Sequence, residues 1–339
     1  MTQKKSSYVV AVAGATGAVG REMLRTLEQR HFPVAKIVAL ASTRSAGQKL
    51  PWKGGEIVVE ELGPKSFEGV DIALFSAGAS VSREYAPVAA KSGAVVIDNS
   101  SAWRMDVDVP LVVPEVNMAA AKRRPKGIIA NPNCSTIQMV VALKPLHDAA
   151  RIKHIVVSTY QATSGKGHAA VEDLHAQTRA LVEGKKIEPS VFPGQIAYNV
   201  LSDWKAGEGG YSEEELKMVH ETRKIMGDDT IGVSPTTVRV PVVNGHSEAV
   251  HVQFHRPMMA DEAKKLLATA EGVVLMDEHG PGKHPQPVHA SGQDPVFVGR
   301  VRDDVAVKGA LNLFVVADNL RKGAALNAVQ IAEKLFVAR

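Results

Sequence analysis

Cysteine is almost absent from this chain: among 339 residues only Cys134 occurs. A single thiol excludes an internal disulfide framework and suits a reducing compartment, the cytoplasm. Aromatic residues make up 5%. The densest basic run, residues 122–126, is broken by Pro125 and carries no interleaved aromatic side chain, so nucleic-acid binding has little support. Long apolar runs are missing too. No stretch approaches the ~20 residues of a membrane span, and residues 8–13 are too short for a signal-peptide core. The net charge of +4 is mild for this length and suits a small anionic substrate equally well. With 45% hydrophobic and 22% charged residues, the composition is that of a globular protein long enough for two domains.

What is present divides into two halves. Up to residue 130, apolar runs at 9–13, 37–41, 57–60, 72–75, 95–98, 111–113 and 128–130 alternate with helix-like segments at 21–30 and 82–91. That alternation predicts an α/β fold with a doubly wound parallel sheet, in which ligands gather beyond the carboxyl ends of the strands. The second half has longer strand-like runs at 155–160, 237–243, 249–255, 297–301 and 311–317, predicting an α+β domain on a mixed sheet, with a second subunit as a packing partner. Asn244-Gly245 reads as a hairpin turn. Residues 278–295, rich in Pro, Gly and His, read as a surface or subunit-contact loop. The five-residue spacing of His279, His284 and His289 fits neither helix nor strand, so no metal site is expected.

Gly14-Ala15-Thr16-Gly17-Ala18-Val19-Gly20 follows the first strand and opens a helix. Such a turn lets a pyrophosphate approach the backbone and rest on the helix N-terminus. After the second strand, where an NAD site usually has an acidic residue, stands Ser42-Thr43-Arg44-Ser45. A guanidinium flanked by hydroxyls suits a 2′-phosphate, and therefore NADP; alternatively Arg44 is a solvated loop residue.

Cys134 precedes a helical pattern of Ile137, Val140 and Val141, with Ser135 and Gln138 spaced as a capping box. A thiol at a helix mouth is favoured as an anion, but a lone cysteine is also often a small buried hydrophobe. Beside a nucleotide site, a reactive thiol suggests redox chemistry through a thioester, which needs a base and substrate anchors. Arg239, on the more polar side of 237–243, and His246 after the Asn-Gly turn are candidates. Residues 212–226 read as a helix with a Ser212/Glu215 capping box, in which Glu221 and Lys224 share one side and could equally form an ordinary ion pair.

Taken together, Thr16-Gly17-Ala18-Val19-Gly20, Asn131-Pro132-Asn133-Cys134-Ser135-Thr136, Gln161-Ala162-Thr163-Ser164-Gly165, Glu221-Thr222-Arg223-Lys224, Arg239 seven residues before His246, and Asp318-Asn319-Leu320 resemble the aspartate-β-semialdehyde dehydrogenase family. The length and Ala41-Ser42-Thr43-Arg44-Ser45 are most similar to its Gram-positive bacterial branch. The resemblance implies a Rossmann-like NADP-binding domain of residues 1–133 plus 320–339 and a catalytic and dimerisation domain of 134–319. It implies Cys134 as acyl-thioester nucleophile, His246 as acid/base, Gln161 orienting the intermediate and Asn133 steadying the oxyanion. Arg239 would grip the substrate carboxylate and Glu221 its ammonium, with Arg104 and Lys224 holding inorganic phosphate. Gly14, Thr16, Gly17, Ala18, Val19, Arg44, Ser45, Ser76, Ser164, Gly165 and Asn319 would line the NADP site. The implied assembly is a homodimer or dimer-based tetramer. The implied reaction interconverts L-4-aspartyl phosphate and aspartate semialdehyde, serving lysine (through diaminopimelate), methionine, threonine and isoleucine synthesis. N-acetylglutamyl-phosphate reductase shares this logic, but its acylated substrate has no ammonium for Glu221. A glyceraldehyde-3-phosphate dehydrogenase differs around the thiol, and a non-catalytic relative would have lost thiol, base or arginine.

Overall fold

Strands of three to eight residues assemble a seven-stranded sheet in the order β3-β4-β2-β1-β5-β6-β7. Its strands are β1 (Tyr8–Ala13), β2 (Val34–Ala41), β3 (Lys49–Trp52), β4 (Gly55–Glu61), β5 (Ile72–Phe75), β6 (Val95–Asp98) and β7 (Ile128–Ala130). Neighbours run parallel except β3, which lies antiparallel to β4 at the edge. The connecting helices are α1 (Ala18–Gln29), α2 (Ala79–Lys91) and the short α3 (Pro114–Asn117). β5 and β7 are buried along their whole length, as a sheet covered by helices on both faces requires. The computed structural model describes residues 5–202, 205–278 and 280–337.

In this sheet, two features depart from the sequence reading. β3 was not anticipated, because it contains Pro51, which an edge strand tolerates. Residues 111–113 form no strand: Leu111 makes only an isolated bridge to Ala130. Pro110 and Pro114 flank the run, and Asn117 takes over its hydrogen bonds, accepting from the Val113 N–H and donating to the Leu111 carbonyl, each at 2.9 Å.

The second sheet follows α4 (Cys134–Ala150). It comprises β8 (Ile152–Gln161), β9 (Gly232–Arg239), β10 (His246–Phe254), β11 (Val273–Leu275), β12 (Val296–Asp303) and β13 (Leu311–Ala317), in the order β11-β12-β13-β10-β8-β9. β8·β9 and β11·β12 are parallel and the other pairs antiparallel. The helices of this part are α5 (His168–Val182), α6 (Glu213–Met226), α7 (Ala260–Ala268) and α8 (Pro287–Ala290), the last within the anticipated loop 278–295; His279 of that loop lies outside the described residues. α4 packs on β8, β10, β12 and β13, which explains why it is apolar nearly all round.

Asn244-Gly245 does not turn a hairpin, since β9 and β10 are not neighbours: β8 lies between them. β9 runs over 232–239 and ends at Arg239, before the expected 243. Pro241 lacks the N–H a strand needs, and the carbonyls of Val242 and Val243 accept instead from the N–H groups of Thr163 and Ser164, at 2.8 and 3.0 Å.

The chain divides into one unit of Met1–Asn133 with Ala324–Arg339 and another of Cys134–Gly323, so the return to the first unit comes at Ala324 rather than at 320. That return is α9 (Leu326–Phe336), which adds Ala328, Val329, Ile331 and Phe336 to the core of the first unit. The Tyr8 hydroxyl donates to the Phe336 carbonyl at 2.8 Å, and Arg30 forks onto Glu333 with two bonds of 2.8 Å. Among the described residues, no helix is long and apolar enough to cross a membrane.

In the second unit, the segment after α5 is anchored by a buried carboxylate. Asp173 accepts from the N–H of Val191 at 2.9 Å and from those of Ser190 and Phe192, while Phe192, Ile196 and Leu201 pack on Ala170 and Leu174. Burial alone would raise the Asp173 pKa, but these N–H groups and the Gln177 amide together hold it below the ordinary carboxylate value. A carboxyl with a depressed pKa contributes stability that is complete above the unfolded value and lost as pH falls through the lower, folded value. Asp173→Asn should therefore cost about 1–3 kcal/mol at neutral pH, seen as a lowered Tm. That deficit should shrink as the pH is taken below the carboxylate range; a deficit independent of pH would contradict the anchor.

Candidate active site

Three neighbouring strands of the second unit end on one line. Gln161 closes β8 opposite Arg239, which closes β9. β10 begins with His246, one step beyond the Ser247–Tyr160 pair that sets it against β8. Alternate residues of a strand share a face. The register therefore gives an outer row of Gln161, Arg239 and His246, and behind it a row of Thr159, Thr237 and Glu248; all six are buried.

Ala162, the residue after Gln161, orients two of these side chains. Its N–H donates to His246 Nδ1 at 3.0 Å, and its carbonyl accepts from the Arg239 guanidinium at 2.6 Å. With Nδ1 an acceptor, the neutral imidazole carries its proton on Nε2. Nε2 is itself buried without a protein partner. Burial, reinforced by the charge of Arg239, holds the His246 pKa well below its ordinary value, so the ring is a neutral N–H donor. Burial also lowers the Arg239 pKa, while the Cys134 side chain and Glu214 oppose that shift, placing the thiol within electrostatic reach of the guanidinium. Arg239 thus sits on the inward face with Val233, Pro235 and Thr237, where the Ala162 carbonyl accepts from its guanidinium.

Gly165 closes the loop over this pair. A Cβ at 165 would lie 3.0 Å from Arg239 Nη1 and 3.1 Å from His246 Cε1 and Nε2, so a side chain there would press on both. Cys134, partly exposed, is the first residue of α4. Because the helix starts there, Ser135 is not its N-cap, and the anticipated Ser135/Gln138 capping box does not form. Gln138 instead donates to the His246 carbonyl at 3.4 Å.

α6 presents Glu221, buried, and Lys224, half-buried. The Ser212/Glu215 capping box is present with both bonds, at 2.8 and 3.1 Å. The other Glu215 oxygen accepts from the Thr237 N–H at 2.9 Å, tying α6 to β9. Ser164 and Asn319 also belong together: Asn319 Nδ2 donates to Ser164 Oγ, Ser164 Oγ to Asn244 Oδ1, and the Gly245 N–H to Asn319 Oδ1, each at 2.9 Å. Asn244 further donates to Asp318 at 2.7 Å. The residue read from sequence as a turn is thus a node of the polar network holding Ser164 and Asn319. Ala162 and Glu248 were not singled out from sequence, and Asn244 was read only as a turn. Alanine gives no chemical signal, and the place of Glu248 depends on strand register.

In the first unit, the glycine turn lies beyond β1, where the sheet order reverses: β2 is on one side and β5 on the other. Gly14 has φ 85°, and a Cβ there would lie 2.5 Å from the Ser76 carbonyl oxygen, so only glycine fits. α1 has Gly17 as N-cap, with no side-chain cap and no acidic residue in its first turn, leaving first-turn N–H donors for an anion. Arg44 is exposed in a short 3-10 turn with Thr43 and Ser45, immediately after β2. Ala41 of β2 pairs with Glu61 of β4, whose carboxylate accepts from the Thr43 hydroxyl.

Asn133 closes this unit's first segment and is buried. Asn131, two residues earlier, is braced on two sides, donating to Asn99 Oδ1 and accepting from Asn327 Nδ2, both at 2.7 Å. Its carbonyl and that of Asn99 accept from the buried Arg104 guanidinium at 3.0 Å. Among the described residues, no group of three or more His, Cys, Asp or Glu side chains is arranged to hold a metal.

Comparison with known proteins agrees over nearly the whole chain. Residues 9–124 match the family described as semialdehyde dehydrogenase, NAD binding domain, and residues 143–322 that described as semialdehyde dehydrogenase, dimerisation domain. The chain is 56% identical over 332 residues to the aspartate-semialdehyde dehydrogenase of Aquifex aeolicus, covering 97% of this chain and 98% of that one. It is 50% identical to that of Bacillus subtilis, with 96% of each covered. The crystal structure of aspartate semialdehyde dehydrogenase II from Vibrio cholerae, complexed with ASA, superposes with a TM-score of 0.95 at 48% identity, covering 98% of each chain. The chain belongs to the aspartate-semialdehyde dehydrogenase family, oxidoreductases that act on an aldehyde.

Proposed function

We propose that this protein is an NADP-dependent, phosphorylating aspartate-semialdehyde dehydrogenase working through a thioester on Cys134. The observation that carries this reading is the line of Gln161, Arg239 and His246 along three strand ends, in the same unit as a thiol at a helix start that feels the Arg239 charge.

In the direction of aldehyde formation, the Cys134 thiolate attacks the acyl carbon of L-4-aspartyl phosphate. A C–S bond forms, the C–O bond to phosphate breaks, and phosphate departs with the electron pair. Arg104 and Lys224 would bind that phosphate. Arg239 would hold the substrate α-carboxylate through a bidentate fork, and Glu221 its ammonium. When bound, NADPH would supply the hydride that reduces the thioester carbon. His246, neutral with Nε2–H as donor, would stabilise the oxygen that becomes negative, as an uncharged electrophile does, and Asn133 with nearby N–H groups would assist. Gln161 would orient the acyl group. Collapse of that oxygen's charge to the aldehyde breaks the C–S bond and restores the thiolate; in reverse, phosphate releases the acyl group.

The residues of the first unit fit the cofactor. The cradle at Gly14 is one a Cβ would fill; Thr16 to Val19, Ser45 and Ser76 would contact the cofactor there, and Ser164, Gly165 and Asn319 would add contacts. Arg44 and Ser45 would take the 2′-phosphate. A second copy of the chain would cover the open face of the six-stranded sheet, where Val156 and Tyr160 are each 40% exposed, giving a homodimer or a dimer of dimers. The reaction would take place in the cytoplasm and feed lysine (through diaminopimelate), methionine, threonine and isoleucine synthesis.

Replacing Cys134 by Ala should lower kcat by more than about 10³-fold while leaving NADP affinity, measured by fluorescence titration, near the parent value; weakened NADP binding alone would contradict a nucleophile. Arg44→Asp should raise KM for NADP far more than KM for NAD, and an unchanged ratio would remove Arg44 from the cofactor site. The function itself is tested by phosphate-dependent NADP reduction with aspartate semialdehyde and with N-acetylglutamate semialdehyde. Turnover of the first is expected, and turnover of the second alone would overturn the assignment.

A further inference from the structure

Glu248 is a buried ionisable side chain that this chemistry leaves unused. On β10 it lies two residues from His246 and shares its face. It is fully buried, and neither carboxyl oxygen has a hydrogen-bond partner. Its cross-strand neighbours are Thr159 on β8 and Val315 on β13, neither a cation.

The carboxyl group faces the side-chain amide of Gln138 on α4. Gln138 is four residues beyond Cys134, one helical turn further on. Its Nε2 donates to the His246 carbonyl at 3.4 Å, and its Oε1 is likewise buried without a donor. A carboxylate and an amide oxygen are acceptors only. An ionised Glu248 would set a fully buried charge against no more than the Gln138 amide N–H, which also serves the His246 carbonyl, and would leave Gln138 Oε1 without a donor, in a setting where poorly paired charge is severely penalised. One proton on Glu248 turns it into a donor for Gln138 Oε1. Burial drives its pKa well above the ordinary value, with the Gln138 amide opposing, in keeping with the protonated form.

We propose that Glu248, held as a neutral carboxylic acid, is a positioning residue: through Gln138 it ties the strand that carries His246 to the helix that carries Cys134, fixing imidazole and thiol relative to each other. This rests on the reading of His246 and Cys134 given above. Removing the link loosens the imidazole without touching substrate, so the loss falls on kcat rather than on KM.

The test is steady-state kinetics of the full-length enzyme with aspartate semialdehyde, NADP and phosphate. Glu248→Leu should lower kcat by about 10-fold to 100-fold, the scale of a small misplacement of a reacting group, with KM for the semialdehyde little changed. Glu248→Gln, uncharged and still a donor, should restore kcat to within a few-fold of the parent. In a His246→Asn background, Glu248→Leu should cause no further loss, because the effect passes through His246. Should Glu248→Leu not fold, Gln138→Leu takes its place with the same expectations. The proposal is overturned if Glu248→Leu keeps parental kcat, if Glu248→Gln is as impaired as Glu248→Leu, or if the loss is the same with and without His246. Parental kcat in His246→Asn alone would instead remove the reading of His246, and the proposal with it.

Discussion

The backbone of Ala162 holds two side chains of the candidate site at once: its N–H fixes the imidazole of His246, and its carbonyl fixes the guanidinium of Arg239. The rest of the second unit arranges itself around that pair of bonds. β8 must lie between β9 and β10, so that one residue can reach partners on both. Residues 162–164 must depart from β8 along 242–243, which Pro241 keeps out of the sheet and whose carbonyls take the freed N–H groups. Gly165 lies against Arg239 and His246 so closely that a Cβ would press on both side chains. Without the Ala162 N–H, His246 would lose the donor that fixes its tautomer; without its carbonyl, the buried Arg239 guanidinium would lose its 2.6 Å backbone bond.

Behind that outer row stands a second row that is polar yet buried: Thr159, Thr237 and Glu248. A core normally fills such positions with apolar side chains, since unsatisfied polar groups cost stability. Here they serve what lies in front of them. Thr159 accepts from Gln161 at 3.4 Å, and Glu248 meets Gln138, the helix residue that reaches the His246 carbonyl. Positions given up by packing are thus used for orientation, a trade found where a site needs preorganised dipoles.

Much of this was legible in the sequence, for identifiable reasons. β5 and β7 show as short, fully apolar runs, and β5, β6, β7 and β13 fall on the residues expected. The Ser212/Glu215 capping box is local and appears as read. Gly14 announces its turn because no other residue tolerates both its φ and the Ser76 carbonyl. The misreadings share a cause. Asn244-Gly245 has the composition of a hairpin, and Ser135 with Gln138 the spacing of a cap, yet tertiary partners claimed both Asn244 and Gln138. Residues 111–113 have strand composition, but Asn117 satisfied their backbone from the side. Local patterns cannot report which of two partners a polar group will choose. Ala162 marks the limit of sequence reading, because its contribution is entirely backbone and depends on strand order.

The central claim is that Cys134 carries the acyl group, held by the constellation that Ala162 organises. Mass spectrometry of peptides tests it most directly, after the protein is mixed with aspartate semialdehyde and NADP without phosphate and quenched in acid. The account predicts an aspartyl adduct on the peptide containing Cys134, lost on adding phosphate with reappearance of the free thiol. An enzyme that turns over with no such adduct, or with the label on another residue, would contradict it.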